Sequence, residues 1–236
     1  FKEKSMSSIA QNTENALNLL SSPFSESKQH RRLLKIYVDG YPDDAFIVNS
    51  AVFHEQVSKP FQFKVDVYSE KKHQLDAPDM IGVKAVIVLE DDGEKPRYFH
   101  GHISSFTSPQ RTTQLSRTQY KMVLSPWLQM YEQVTDCRIF QNAAVMDVIQ
   151  TLFKDITVAK YDLSSVTDKH YQREFWVQYN ETIVNFFNRI CQAEGIGYYY
   201  THTKTGHTLH LIDTHRHFQN IKGHNPLKIQ PKTAAH

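Results

Sequence analysis

The stretch REFWVQYNETIVNFFNRICQAEGIGYYYTHTKTGHTLHLID, residues 173–213, decides the interpretation of the fold. It opens with an alternating strand that carries Phe175, Val177 and Tyr179 on one face. An amphipathic helix follows at once, and the hairpin around residues 204–206 comes next. The helix stripe comprises Ile183, Phe186, Phe187, Ile190 and Cys191. We therefore expect a helix that covers a sheet, because these residues build a packing surface and supply no nucleophile with its base.

The ends of this helix are also indicated. Asn180 and Thr182 are both candidates for the N-cap, because their side-chain oxygens can accept a backbone N–H of the first turn. Gly195 should end the helix, since a residue just past a helix often has positive φ, which glycine adopts without a Cβ penalty. Asn188 is predicted to lie on the face opposite the apolar stripe, where its removal should change little.

The composition excludes several classes of protein. The 236 residues carry 27 Lys plus Arg against 25 Asp plus Glu, and the net charge of +2 favours neither nucleic acid nor a membrane surface as a partner. Cys137 and Cys191 are too few for a disulfide framework, and both are predicted to be buried thiols in a protein made in a reducing compartment. The N-terminus has no signal-peptide core, so any export is expected to occur without a cleaved signal.

Four regions follow one another along the chain. Residues 1–32 are predicted to be an N-terminal arm or linker. Residues 33–124 follow a period of two, and about six short strands there predict a first antiparallel β-barrel. Residues 125–218 are predicted to form a helical α+β hub domain. Its second helix begins near Asn142 and has the stripe Val145, Val148, Ile149, Leu152 and Phe153. Residues 219–236 are predicted to be a linker to further domains.

Thirteen histidines raise the possibility of a metal site. The densest group lies in and after the hairpin, which we interpret as an exposed histidine-rich hairpin, and only His202, His215 and His217 remain as a minor zinc candidate. His100 and His102 share a strand face, and the glycine between them indicates a close backbone approach. No G-x-S-x-G or glycine-rich phosphate loop is present, so we predict no enzyme, no cofactor and no metal.

Six segments, taken in order, carry a resemblance to a known family. They are SKPFQFKVDVYSE (58–70), Gly82 before a strand, RYFHGHISSF (97–106), YKMVLSPWL (120–128), CRIFQN (137–142) and FWVQYNETIVNFFNRICQAEGIGYYY (175–200). In this order they resemble the N-terminal region of VgrG, the spike protein of type VI secretion, which is itself similar to the hub of contractile phage tails. The resemblance covers residues 33–218, most of the chain.

The resemblance implies a mainly β, α+β fold: an antiparallel β-barrel of the phage tail hub type with a helix-containing α+β insert. It implies a homotrimeric structural spike that caps the hexameric Hcp tube, contacts baseplate and effector proteins, and helps deliver effectors into target cells. Such a protein is assembled in the bacterial cytoplasm and then secreted without a signal peptide to the extracellular space or the target cell. Because the family places a second barrel, a collar and a needle downstream, residues 1–236 alone are expected to be monomeric or weakly associating.

The family has structural residues to carry over and no catalytic ones. The matching positions, with the two helix phenylalanines, are Pro126, Trp127, Arg138, Phe140, Gln141, Phe186, Phe187, Gly195 and Tyr198. Trp127, Phe140 and Tyr198 are expected in the core. Arg138 and Gln141 are candidates for polar contacts between the first barrel and the helical insert, since an Arg in a packed region needs acceptors.

Three other functions compete with the spike assignment. The nearest is a tail hub or baseplate protein of a contractile phage or phage-like injection particle, which sequence downstream of His236 would distinguish. A sugar-binding β module draws support from an aromatic content of 12%, including Tyr198, Tyr199 and Tyr200, although core packing explains most of these rings. A zinc hydrolase would rest on the histidines alone.

Overall fold

The alternating pattern of the first half folds into one six-stranded antiparallel sheet. The computed structural model describes residues 32–70, 75–90, 95–108, 117–167 and 170–218, so the predicted linker and all of the predicted arm except Arg32 lie outside the described residues. The strands are β1 (Leu34–Val38), β2 (Ile47–Gln56), β3 (Lys59–Glu70), β4 (Lys84–Leu89), β5 (Arg97–Thr107) and β6 (Arg117–Ser125). A short helix, α1 (Ala77–Met80), lies between β3 and β4.

The sheet has the order β1-β4-β5-β6-β3-β2 and curls into a half-barrel. In the described residues β1 and β2 form its two edges and are not paired with each other. On β3 the residues Phe61, Phe63, Val65 and Val67 are buried, whereas Gln62 and Lys64 are exposed. The predicted alternation is therefore confirmed, because every second side chain enters one apolar core.

A glycine allows two of these strands to approach closely. At Gly101 a Cβ atom would lie 3.0 Å from Leu124 Cβ and 3.1 Å from the carbonyl oxygen of Ser125 on β6. Both contacts are shorter than van der Waals separation, and one is with backbone, which cannot rotate away. The close backbone approach predicted between His100 and His102 is thus present.

The second half contains two smaller sheets and the longer helices. After a 3-10 helix at Trp127–Tyr131, the elements are β7 (Thr135–Ala143), α2 (Val145–Phe153), β8 (Tyr161–Ser165), β9 (Arg173–Thr182), α3 (Ile183–Ala193), β10 (Gly197–Thr203), β11 (Gly206–Ile212) and a 3-10 helix at His215–His217. β7 and β9 form an antiparallel ribbon. β10 and β11 form the predicted hairpin, to which β8 adds in parallel.

Both predicted helices bury their apolar stripes in a second core. The Thr182 hydroxyl accepts the Asn185 N–H at 3.1 Å, which makes Thr182 the N-cap of α3. Gly195 ends the helix region at φ +69°, as expected from the missing Cβ. Asn188 was predicted on the free face, and this is wrong: it is half-buried, and its Oδ1 accepts the Tyr198 hydroxyl at 2.8 Å.

The two cysteines have different environments. Cys191 is buried on the α3 stripe, as predicted. Cys137 is exposed, which contradicts the prediction, because it points away from the covered face of the ribbon.

None of the helices in the described residues combines the length and the apolar character needed to cross a bilayer.

Candidate functional site

The two cores meet at a polar junction that the sequence did not indicate. Tyr200 packs against both cores, and the Ser58 N–H donates to the Tyr198 carbonyl oxygen at 2.8 Å. Phe61 of the half-barrel contacts the rings of His202 and His207 with centroids 4.8 and 5.3 Å apart. The hairpin of β10 and β11 therefore docks on the half-barrel through aromatic and imidazole rings.

Four histidines, His100, His102, His202 and His207, form what we call the histidine junction. His100 and His102 come from β5, and the other two come from the hairpin. His207 is 3% exposed and His100 4%, and the His202 side chain is 7% exposed. The prediction of an exposed histidine-rich hairpin is thus wrong for these two hairpin residues, because their strands pack directly on the half-barrel.

A chain of hydrogen bonds fixes where the protons lie in this junction. The Trp127 backbone N–H donates to His207 Nε2 at 3.1 Å, so the neutral ring of His207 carries its proton on Nδ1. That nitrogen lies 3.0 Å from His100 Nδ1 and can only donate to it. His100 must then carry its own proton on Nε2. One backbone amide therefore determines the tautomers of two rings in succession.

Burial keeps three of these rings neutral. Desolvation, followed by the neighbouring histidines, lowers the pKa of His207 from 6.5 to about 2. Desolvation and then His102 lower the pKa of His100 to about 4. The pKa of His102 is lowered by burial, against the effect of its hydrogen bond to the Gly82 carbonyl oxygen. Because their charged forms lose hydration on burial, His100, His102 and His207 do not take up a second ring proton near neutral pH.

His202 connects the junction to the surface of the half-barrel. Its Nε2 lies 3.0 Å from Glu55 Oε1 and donates to that carboxylate. Its Nδ1 lies between the backbone N–H and the carbonyl oxygen of His100, at 3.2 and 3.0 Å. Each of these bonds joins residues from different halves of the chain, so they fix the relative position of the half-barrel and the hairpin.

The minor zinc candidate does not assemble. His202 takes part in the junction, whereas His217 Nδ1 donates to the Ser165 carbonyl oxygen at 2.6 Å, and His215 lies in the last 3-10 helix. Within the described ranges no group of three or more His, Cys, Asp or Glu is placed to hold a metal ion.

The apolar residues that match positions of the VgrG family lie around α3. Trp127 and Tyr198 are each 1% exposed, and Phe187 and Phe186 are fully buried. The Phe187 ring lies 5.2 Å from Tyr198, and Phe140, half-buried, stacks on Phe186 at 5.9 Å. Pro126 is buried and precedes the first 3-10 helix as its N-cap. These positions form a continuous aromatic core under the helix.

The two carried-over polar residues do not reach the half-barrel. Arg138 Nε donates to Asp136 Oδ2 at 2.6 Å on its own strand, and that bond lowers the pKa of the Asp136 carboxyl. Gln141 is exposed on the ribbon. The contacts between the two halves come instead from Ser58, Glu55 and the histidine junction.

The outer face of the β7–β9 ribbon is apolar and uncovered within the described part of the chain. Tyr179 is 80% exposed and Ile139 65% exposed, with Phe175 and Val177 beside them. Ile139 pairs with Val177 across the two strands. We call these four residues the ribbon face, and exposed apolar clusters of this kind are typical of protein contacts.

The geometry offers contact surfaces and no arrangement for nucleophilic catalysis in the described residues. Burial raises the pKa of the Cys191 thiol far above its usual range, which leaves it inert. The junction imidazoles accept and donate hydrogen bonds to one another and to backbone, and so they hold two cores together.

Comparison with known proteins agrees with this architecture. The phage tail baseplate hub family (GPD) matches residues 54–236. The type VI secretion system spike protein VgrG1b of Pseudomonas aeruginosa is 29% identical over 179 residues, which cover 76% of this chain and 24% of that protein. The chain thus spans about a quarter of the length of this relative.

Solved structures share the fold. The E. coli c3393 protein, described as a component of the type VI secretion system similar to the T4 tail proteins gp27 and gp5, superposes with a TM-score of 0.66 at 17% identity, over 79% of this chain and 51% of that one. The 43 kDa tail protein of prophage MuSo2 from Shewanella oneidensis gives 0.51 at 12% identity, over 76% and 52%. With the fold shared and the family matching residues 54–236, the chain belongs to the phage tail baseplate hub family.

Proposed function

We propose that this chain is the hub part of a type VI secretion spike, a structural component that caps the Hcp tube and helps deliver effectors into target cells. The observation that carries the proposal is the hub-family match over residues 54–236, which includes the second core, most of the first core and the histidine junction between them. The likeness to VgrG1b favours the secretion spike over other members of the family. In this role the chain is not an enzyme.

The full-length protein is proposed to be a homotrimer, and the ribbon face is proposed as part of its subunit contact. Four exposed side chains can form the centre of an interface, but a stable interface needs about 20–30 residues from each partner. Residues 1–236 alone should therefore be monomeric or weakly associating at micromolar concentration, and the remaining contacts should come from other parts of the spike.

The proposed partners are the Hcp hexamer at one end, baseplate proteins around the hub, and effectors. A net charge of +2 provides little long-range attraction, so docking on the tube should depend on shape and apolar contact. The protein is proposed to assemble in the bacterial cytoplasm and to leave the cell with the spike, without a signal peptide. No nucleic acid, cofactor or stable membrane insertion belongs to the proposal.

Light scattering on the full-length protein tests the proposed assembly. Val177→Glu places a charge in the ribbon face and should weaken the trimer, so that it dissociates at a higher protein concentration than the unmutated trimer, because a desolvated carboxylate without a partner is costly. Val52→Glu is the matched control, since Val52 is 63% exposed on β2 and Val177 is 45% exposed on the ribbon. A monomeric unmutated protein that also fails to bind Hcp would reject the spike assignment.

A phage tail hub is the second candidate, and the fold shared with the MuSo2 tail protein favours it specifically. The two functions differ in the tube that the hub caps. Binding of the full-length protein to a purified phage tail-tube protein, with no binding to Hcp from the same bacterium, would assign it to a phage particle.

A further inference from the structure

A cavity of about 290 Å³ opens where the half-barrel meets the turn of the β10–β11 hairpin. Its walls include Tyr37, Asp39, Lys84, His100, Lys204 and Thr205. It lies at the outer edge of the histidine junction, because His100 belongs to both. Neither the hub fold nor the proposed spike contacts require a cavity at this position.

His100 brings a hydrogen-bond donor without a protein acceptor to this cavity. Its Nδ1 accepts from His207, so the remaining proton is on Nε2, as derived above. Among the described residues Nε2 has no hydrogen-bond partner, although His100 is only 4% exposed. An N–H group at the wall of a cavity can donate to an acceptor that enters the cavity, and no described protein group already accepts from this one.

Lysines give the cavity a positive potential. Lys84 and Lys204 line it, and Lys160 approaches the same turn, with its Nζ 3.4 Å from the Cβ position of Gly206. After burial and the neighbouring histidines, the positive charges of Lys84 and Lys160 also contribute to the lowered pKa of His100. Asp39 is the one carboxylate among the lining residues.

We propose that this cavity binds an oxoanion, a carboxylate or a phosphate, which accepts the His100 Nε2–H and is held by Lys84 and Lys204. Hydrogen bonds between a donor and a charged acceptor are stronger than those between neutral groups. A lysine ammonium is a compact charge that lacks the planar, bidentate geometry of an arginine guanidinium, so the site can bind either a planar carboxylate or a tetrahedral phosphate. The inference does not depend on the proposed spike function.

Thermal unfolding of the purified chain near pH 7 tests the site directly. Sodium phosphate or sodium acetate is added, and sodium chloride of equal ionic strength is the reference. A ligand at about ten times its dissociation constant should raise the melting temperature by about 3–6 °C over chloride. In ¹⁵N-edited spectra of the imidazoles, the His100 Nε2 signal should shift with the same anion.

The separate additions of phosphate and acetate distinguish the source of the anion. A response to phosphate alone identifies a free phosphate-type ligand, whereas a response to acetate, and to a short peptide with one glutamate, identifies a protein carboxylate. If neither anion stabilises the chain over chloride or moves the His100 signal, the proposal is rejected.

Charge variants provide a second, signed test. Lys84→Gln with Lys204→Gln should raise the dissociation constant of the responding anion by at least about fivefold, whereas Asp39→Asn should lower it by about twofold, both within the range of exposed ion pairs. Lys64→Gln with Lys121→Gln is the matched control, because both lysines are exposed on the half-barrel strands and neither lines the cavity. Equal affinities in both double variants would overturn the assignment.

Discussion

Acid should destabilise this protein through its histidine junction. In the folded state the pKa of His207 is about 2 and that of His100 about 4, whereas both begin at 6.5 in the unfolded chain. Between these values the unfolded chain binds protons that the folded chain excludes. Above about pH 6.5 the two histidines do not reduce the free energy of unfolding. As the pH falls below this value, the free energy of unfolding decreases progressively.

The size of the effect follows from the two shifts. A pH of about 5 is about 1.5 units below the pKa of an imidazole in the unfolded chain. Protonation of that imidazole therefore stabilises the unfolded state by ~2 kcal/mol per ring. His100 and His207 remain neutral in the fold at that pH, so together they remove ~4 kcal/mol relative to neutral solution. Since small proteins unfold with only about 5–15 kcal/mol, this is a large fraction of the total stability.

Denaturant unfolding at about pH 7.5 and about pH 5 measures this loss, and His207→Gln isolates one ring. The glutamine amide can still accept the Trp127 N–H and donate to His100 Nδ1, but it does not titrate. The variant should lose ~2 kcal/mol less between the two pH values than the unmutated chain. His54→Gln is the matched control, because it also replaces one imidazole by an amide but lies exposed on β2, outside the histidine junction.

Protonation of carboxylates also changes stability between the two pH values. Because His207→Gln and the unmutated chain contain the same carboxylates, this contribution cancels when their stability losses are compared. If His207→Gln and the unmutated chain lost equal stability on acidification, the reasoning would be refuted: His207 would then be protonated in the fold or hydrated at the junction.

Three further changes test the packing, each by denaturant unfolding at neutral pH. Phe187→Ala should cost about 3–5 kcal/mol, as for other buried phenyl rings, while Gln192→Ala on the exposed face of α3 should cost little; equal losses would mean that the stripe does not face a core. Asn188→Ala should cost about 1–3 kcal/mol, because the buried Tyr198 hydroxyl loses its acceptor, and an unchanged midpoint would contradict that bond. Gly101→Ala should cost about 1–3 kcal/mol by overpacking against β6, and a neutral result would show that the strands can separate.

The sequence by itself determined the alternating strands of the first half, β9, the β10–β11 hairpin and the two longer helices, but it did not indicate β7 or β8. The period of two in β3 and the helical stripes of α2 and α3 are local consequences of burying one face, so they can be read without knowing the partner. The order of the hub-family segments determined the family in the same way, since it depends only on the chain.

Tertiary structure alone decided which side chains meet. His100 and His207 are 107 residues apart, and the same hairpin pattern would suit an exposed or a covered strand. The direction of Cys137 and the acceptor of Arg138 depend on which face of a two-stranded ribbon is covered, and the role of Asn188 depends on the strand beneath α3. Periodicity records that a face is buried, whereas contacts between distant polar groups arise only when the elements have packed.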